Sequence, residues 1–386
     1  MSHSYDALII GAGPAGLAAS RELSRAGVQH LVLERGDEIG HTWANLYDSL
    51  VLHTARRLSA LPGLRYPPST PLFPTRVDFL AYLHRYAETF RAPVTTRAEV
   101  ATISRTAEGW MARTTNGTEI AARAIVVATG IVANPQIPEI PRRGEFAGRV
   151  LHSVEYRRPD GFAGQRVLVV GAGNSAGEIS VELARAGAAV TLAVRTGTSA
   201  LPREILGIPI QYLALVIASL PRSAQRMTVA MMGGFSTLVR GPSVLPPPSP
   251  KTCPSVPLIG FHLADAIRAG TIRLKRGVAE FTAVGVRFSD DSEEAFDTVI
   301  LATGYRAAVG MLRDVARLDG CGFGLRRDRV VAVDQPDLYF VGHNYDLRGG
   351  LFNIGRDAPL VARRITSARR ETSRTSTEKL RRRSER

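Results

Sequence analysis

The chain uses one pattern twice, and that repeat constrains its fold more than any other feature. "ALIIGAGPAGLAASRELSRAGVQHLVLER" occupies 7–35 and "VLVVGAGNSAGEISVELARAGAAVTLAVR" occupies 167–195. An offset of 160 places Gly171 on Gly11, Gly173 on Gly13, Ala176 on Gly16 and Gly187 on Gly27. Each copy is an apolar run of strand length, a glycine turn, a stretch with helical spacing, a helix-ending glycine and a second apolar run. The spacing predicts strand, helix and parallel strand, built twice.

The glycines explain themselves physically. The first permits a tight turn, the second lets backbone approach a pyrophosphate, and the third lets the helix pack close to the strand, with the helix N-terminus facing the phosphates. Glu34 follows Gly11 by 23 positions, where a carboxylate can accept a ribose hydroxyl. In the second copy Val194 stands at that position with Arg195 beside it, so the group that would repel a 2′-phosphate is missing and NADPH is favoured over NADH. The expectation is an α/β fold with two dinucleotide-binding (Rossmann-like) domains.

Two further runs, "AIVVATG" at 124–130 and "VILATGY" at 299–305, read as buried strands that flank the second loop. They suggest that the second nucleotide domain, 159–302, is inserted into a discontinuous first domain made of 1–158 and 303–386. Between 201 and 257 apolar helical stretches give way to the proline-rich "GPSVLPPPSPKTCPSVP", read as packed helices and a rigid connection.

Charge and cysteine usage exclude several functions. Half of the net charge of +14 sits in residues 361–386, and the stretch 365–386 reads as a basic, disordered tail rather than a specific nucleic-acid surface. Only three of the 49 basic residues are lysines, at 251, 275 and 379, so neither glycine loop has the lysine of a nucleotide hydrolase. Cys253 and Cys321 form no C-x-x-C pair, no zinc pattern and no disulfide framework, which fits a cytoplasmic protein; no metal site is expected. "ILGIPIQYLALVIASL" at 205–220 is the longest apolar run, too short and too interrupted for a transmembrane helix.

"FAGRVLHSVEYR" at 146–157 matches the F-x-G-x-x-x-H-x-x-x-Y/F-K/R fingerprint of class B flavin-containing monooxygenases, which the chain resembles from Asp6 to about Arg364. "GNSAGEI" (173–179), "VRTGTSALPREILG" (194–207), "LFPTRVDFLAYLHRYA" (72–87) and "EEAFDTVILATGYRAAV" (293–309) resemble the plant-type indole-3-pyruvate, or YUCCA-like, branch. "YDSLVLH" places His53 where many heteroatom-oxidising members carry an asparagine.

The resemblance implies FAD in the first cradle and NADPH in the second. It also implies a cycle in which a C4a-(hydro)peroxyflavin passes one atom of O2 to a small organic substrate. On this basis Gly11, Gly13, Pro14, Ala15, Gly16, Glu34, Arg35 and Trp43 are assigned to FAD. Gly171, Gly173, Asn174, Ser175, Ala176, Arg195 and Arg203 are assigned to NADPH, and His53 to the flavin's reactive edge. The branch suggests oxidative decarboxylation of an aryl-pyruvate-like 2-oxo acid. N- or S-oxygenation, Baeyer–Villiger oxidation, or flavin reduction without oxygen transfer are the alternatives.

Overall fold

The computed structural model describes residues 4–384 except 222, 226, 229, 230, 232–239, 249–256 and 347. Much of the proline-rich connection, with Cys253 and Met232, therefore lies outside the described residues.

The first sheet has nine strands. β1 (Ser4–Ile10) lies between β2 (His30–Leu33) and β6 (Glu119–Val127), parallel to both, and β3 (Val94–Thr95) extends it beyond β2. β4 (Val100–Thr106) and β5 (Gly109–Thr114) form an antiparallel meander on β6. The continuous apolar runs follow from burial on both faces. Ala7, Ile9, Ala124 and Val126 enter the core under the helices, and Leu8, Ile10, Ile125 and Val127 enter the core under the meander.

The second sheet has five parallel strands in the order β10–β9–β8–β11–β7: Arg273–Arg276, Ala189–Val194, Arg166–Val170, Thr298–Leu301 and Arg149–His152. Its strands alternate in the same way, Val167 and Val169 to one core and Leu168 to the other. The chain then returns to the first sheet through β12 (Arg326–Arg327), β13 (Val331–Ala332) and β14 (Leu338–Phe340), which pairs parallel with β6.

Eight helices carry labels here: α1 (Pro14–Arg25), α2 (His41–Ala44), α3 (Arg56–Ser59), α4 (Arg76–Thr89), α5 (Asn174–Arg185), α6 (Ile210–Ala218), α7 (His262–Arg268) and α8 (Gly350–Ser384). α4 opens on a capping box between Thr75 and Asp78. α8 lies along α1 and buries Val361, Ala362 and Ile365 in the first core.

Three features differ from the sequence expectation. β7 joins the second sheet, so that sheet takes in residues before the boundary drawn at 158; its side-chain pattern is too short to reveal which sheet it joins. Residues 365–384, expected to be disordered, continue α8, because neither Gly nor Pro interrupts the chain from Leu360 to Ser384. Cys321 is disulfide-bonded, where no bridge is expected. No helix among the described residues is long and apolar enough to cross a membrane.

Candidate functional site: two glycine cradles and the junction between them

The first loop leaves β1 at Gly11, whose φ of +105° belongs to glycine. A Cβ there would stand 2.8 Å from the Ala128 carbonyl, and one at Gly16 would stand 1.8 Å from the Gly11 carbonyl. Gly13 is different. A Cβ there would meet nothing within 4 Å, so the protein leaves this face of the loop bare. α1 starts at that point with Pro14 at its first position, Ala15 and Gly16 buried behind it, and no side chain capping its N-terminal amides. A bare backbone face at an uncapped helix N-terminus fits a pyrophosphate.

Glu34, at the end of β2, is buried, and its Oε2 accepts from Ala12 N at 2.7 Å while Oε1 accepts from Gly36 N at 2.9 Å. It shapes the loop with the carboxylate assigned to the ribose, and each oxygen keeps lone-pair capacity for a hydroxyl. Gly40 N reaches Ala12 O at 3.1 Å, which ties α2 and Trp43 to the same loop. Trp43 packs edge-on against Phe79 at 4.6 Å. Arg35 is exposed.

The second loop repeats the construction. Gly171 has φ +138°, and a Cβ there would come 2.2 Å from the Ala302 carbonyl; Gly173 again meets nothing within 4 Å, and Ala176 is fully buried. Ala128 and Ala302 are the alanines of the two Ala-Thr-Gly runs, so each run supplies the wall that forces its glycine turn. Val194 is buried in the core and Arg195 is exposed at the strand end. The Asn174 amide is engaged elsewhere, donating to Pro257 O at 3.1 Å and accepting from Ile259 N at 2.8 Å.

Between the cradles lies a junction. Glu178, on α5, receives the Tyr47 hydroxyl on Oε2 at 2.5 Å and the His53 Nε2 on Oε1. Burial works to raise the Glu178 carboxyl, but the bonds from His53 and Tyr47 and the nearby His262 outweigh it and hold the group below its ordinary range. Burial and the Glu178 charge push the Tyr47 hydroxyl well up, and Ser175 lies beside it. Burial also lowers His262.

Backbone of the same segment is held from the second domain. The Gln211 amide donates to His53 O at 2.5 Å, and Arg203 donates to Leu52 O at 3.0 Å with its guanidinium 4.0 Å from the centre of the Phe73 ring. Arg157, the last fingerprint residue, donates to Ala44 O at 3.0 Å, Leu46 O at 2.8 Å and the Asn45 side chain. Tyr156 donates to Glu182 at 2.9 Å. The fingerprint thus works as a strap between domains.

The chain's return to the first domain meets this junction too. A Cβ on Gly342 would lie 3.0 Å from that of Ala15, and one on Gly349, at the start of α8, 2.6 Å from Thr54, the neighbour of His53. Gly342 thus lies close to the first loop at Ala15, and Gly349 lies close to Thr54, whose neighbour His53 meets Glu178 on the second helix. Both nucleotide assignments fit these cradles. Sequence reasoning missed Tyr47, Gln211 and Glu178, although Glu178 stands inside "GNSAGEI"; neither sequence spacing nor periodicity shows which partner a helical carboxylate will meet.

A family model described as pyridine nucleotide-disulphide oxidoreductase matches residues 8–204. The chain is 36% identical to the indole-3-pyruvate monooxygenase YUCCA1 of Oryza sativa subsp. japonica, covering 96% of this chain and 93% of the relative. It is 38% identical to the probable indole-3-pyruvate monooxygenase YUCCA1 of Arabidopsis thaliana over 78% of this chain and 76% of the relative. Among solved structures it resembles a flavin-containing monooxygenase from Stenotrophomonas maltophilia, with TM-score 0.75 and 26% identity, covering 95% and 99% of the two chains. A bacillithiol disulfide reductase from Staphylococcus aureus, at 17% identity and TM-score 0.71, shares the fold. With both glycine cradles and the strap between them in one order along the chain, this protein belongs to the flavin-containing monooxygenases, in the branch of the YUCCA-type indole-3-pyruvate monooxygenases.

Proposed function

We propose that the chain is an FAD- and NADPH-dependent monooxygenase whose substrate is an aryl-pyruvate-like 2-oxo acid. The balanced reaction is R–CO–COOH + O2 + NADPH + H⁺ → R–COOH + CO2 + H2O + NADP⁺. FAD, when bound and reduced by NADPH, supplies the activation of dioxygen. The protein supplies position and exclusion of water.

The α1 amides and Gly13 backbone hold one pyrophosphate, and the α5 amides and Gly173 hold the other. Glu34 fixes the flavin-side ribose, Trp43 flanks the flavin, and Arg195 meets the 2′-phosphate that Val194 cannot repel. His53 is bonded to Glu178 at the domain junction, and with Tyr47 it keeps the two cradles on one cleft. A cleft held shut from both sides keeps water from the reacting atoms.

The observation that carries this reading is the shared Glu178 carboxylate, which brings side chains of the flavin-side domain onto the helix of the NADPH loop. The likeness to the indole-3-pyruvate monooxygenases supports the decarboxylation. The test is product analysis with indole-3-pyruvate, phenylpyruvate, a tertiary amine and a sulfide under NADPH and O2. We expect CO2 and the one-carbon-shorter acid, at one per NADPH. Oxygenation of the amine or sulfide with both 2-oxo acids untouched would retire the decarboxylation, and NADPH oxidation with no oxygenated product would favour a reductase.

A further inference from the structure

Among the described residues, seven of the thirteen exposed large apolar side chains fall within 205–231, and Leu206 is the most exposed of them at 98%. Scattered apolar side chains are ordinary on a surface, but a concentration of them marks a contact. The concentration begins on a hairpin. Glu204–Ile205 pairs with Ile208–Pro209 and leaves Leu206 and Gly207 as a two-residue turn with φ of +49° and +75°. Positive φ at both central positions is the geometry that favours Asn-Gly and strains a leucine. Leu206 therefore costs the fold twice, in backbone conformation and in apolar surface given to water. An asparagine would relieve both, so the folded chain alone gives no reason for the leucine.

α6 follows at once, and Ile210 N donates to Arg203 O at 3.1 Å, which seats the hairpin on the start of the helix. α6 carries no charge, yet only Ile210 and Gln211 are fully buried, and Val216 is exposed. A helix apolar on all sides is ordinarily enclosed. The surroundings are cationic. No Asp or Glu occurs between Glu204 and Asp265, a stretch with Arg222, Arg226, Arg240 and Lys251, nor between Asp48 and Asp78, a stretch with Arg56, Arg57, Arg65 and Arg76. The two stretches meet at the foot of the hairpin, where Arg203 lies over the Phe73 ring and donates to Leu52 O. Glu204, the one acid of the hairpin, stands at its base beside Arg203.

We propose that the 204–209 hairpin and the exposed side of α6 dock the protein on an anionic lipid surface, with Leu206, Ile208 and Val216 entering the acyl boundary and the surrounding arginines facing the headgroup phosphates. Such a surface offers hydrocarbon and negative charge together, without the directional partners that a protein interface supplies and that these aliphatic side chains cannot use. The contact lies on the bilayer and does not span it, in keeping with the shortness of α6. Gln211 of the same helix holds the His53 backbone, so docking sets the domain junction close to the membrane. None of this depends on which substrate is oxidised.

The test is co-sedimentation of the FAD-loaded enzyme with vesicles of phosphatidylcholine alone and of phosphatidylcholine with phosphatidylglycerol, at low and high salt. We expect binding to the phosphatidylglycerol vesicles that weakens with salt and falls about ten-fold in Leu206→Asn/Ile208→Thr. Asparagine suits the positive φ at 206, so the variant's thermal midpoint stays at or above that of the parent, with flavin content and turnover in solution unchanged. Loss of vesicle binding is then not a loss of fold. The proposal is overturned by no binding to either vesicle or by equal binding to both. Binding that the double variant leaves untouched also overturns it and assigns the attraction to the basic end of α8. A concentration-dependent dimer in light scattering, abolished by the double variant and without vesicle binding, overturns it in favour of a second copy of this chain.

Discussion

Gly13 and Gly16 stand three residues apart and serve different masters. Gly16 is demanded by the fold, since any Cβ would stand 1.8 Å from the Gly11 carbonyl, whereas Gly13 has no protein atom within 4 Å of its missing Cβ. We expect Gly16→Ala to lose both flavin and thermal stability. Gly13→Ala costs about 1 kcal/mol or less in the apo-protein and still prevents retention of flavin. Flavin content set beside the apo melting temperature separates the two. A second single-residue effect comes from His343, buried among Phe323, Phe340 and Tyr345 near Arg326, with neither ring nitrogen partnered. Burial, then Arg326, push its pKa down to about 3 from 6.5. The folded ring stays neutral while the unfolded one takes a proton below 6.5, so stability is present above that value and is lost as pH falls. Between pH 7 and 5 the loss is about 2 kcal/mol, and His343→Leu removes this pH slope. Urea unfolding followed by tryptophan fluorescence reads it, because Trp43 and Trp110 both lie in the first domain.

At the level of elements, α5 performs two tasks. Its uncapped N-terminus opens on the Gly173 loop proposed to hold NADPH, and its second turn offers Glu178 to the flavin-side domain. Glu178→Gln keeps an acceptor but loses the charge, and a charge-assisted bond of this kind is worth about 1.5–3 kcal/mol. We expect faster amide exchange over 45–54 and NADPH consumption that outruns product formation, with NADPH affinity little changed. Unchanged coupling between NADPH use and product would show that the carboxylate does not hold the cleft. The glycine loops, their strands and α1 were legible because each is decided by neighbours in sequence: apolar runs, helical spacing and glycines at fixed offsets. β7 was not, because four residues of strand pattern carry no record of which sheet edge they meet.

On the scale of the whole molecule, the two cradles are not interchangeable. A carboxylate closes the first strand pair and a buried valine followed by an exposed arginine closes the second. We expect Arg195→Ala to lower the preference for NADPH over NADH by on the order of 10- to 100-fold in kcat/KM while leaving flavin content unchanged. Steady-state kinetics with both nucleotides check this. The sequence by itself determined the repeat, the α/β architecture, the order of the cradles and the family, since these rest on local spacing and on motifs. Only the tertiary structure decided that His53 meets Glu178 across 125 positions, that Arg203 and Gln211 hold the backbone beside it, and that the Ala-Thr-Gly runs wall the glycine turns. A polar side chain's partner is chosen by how separately specified elements pack, and no periodicity in the chain encodes that choice.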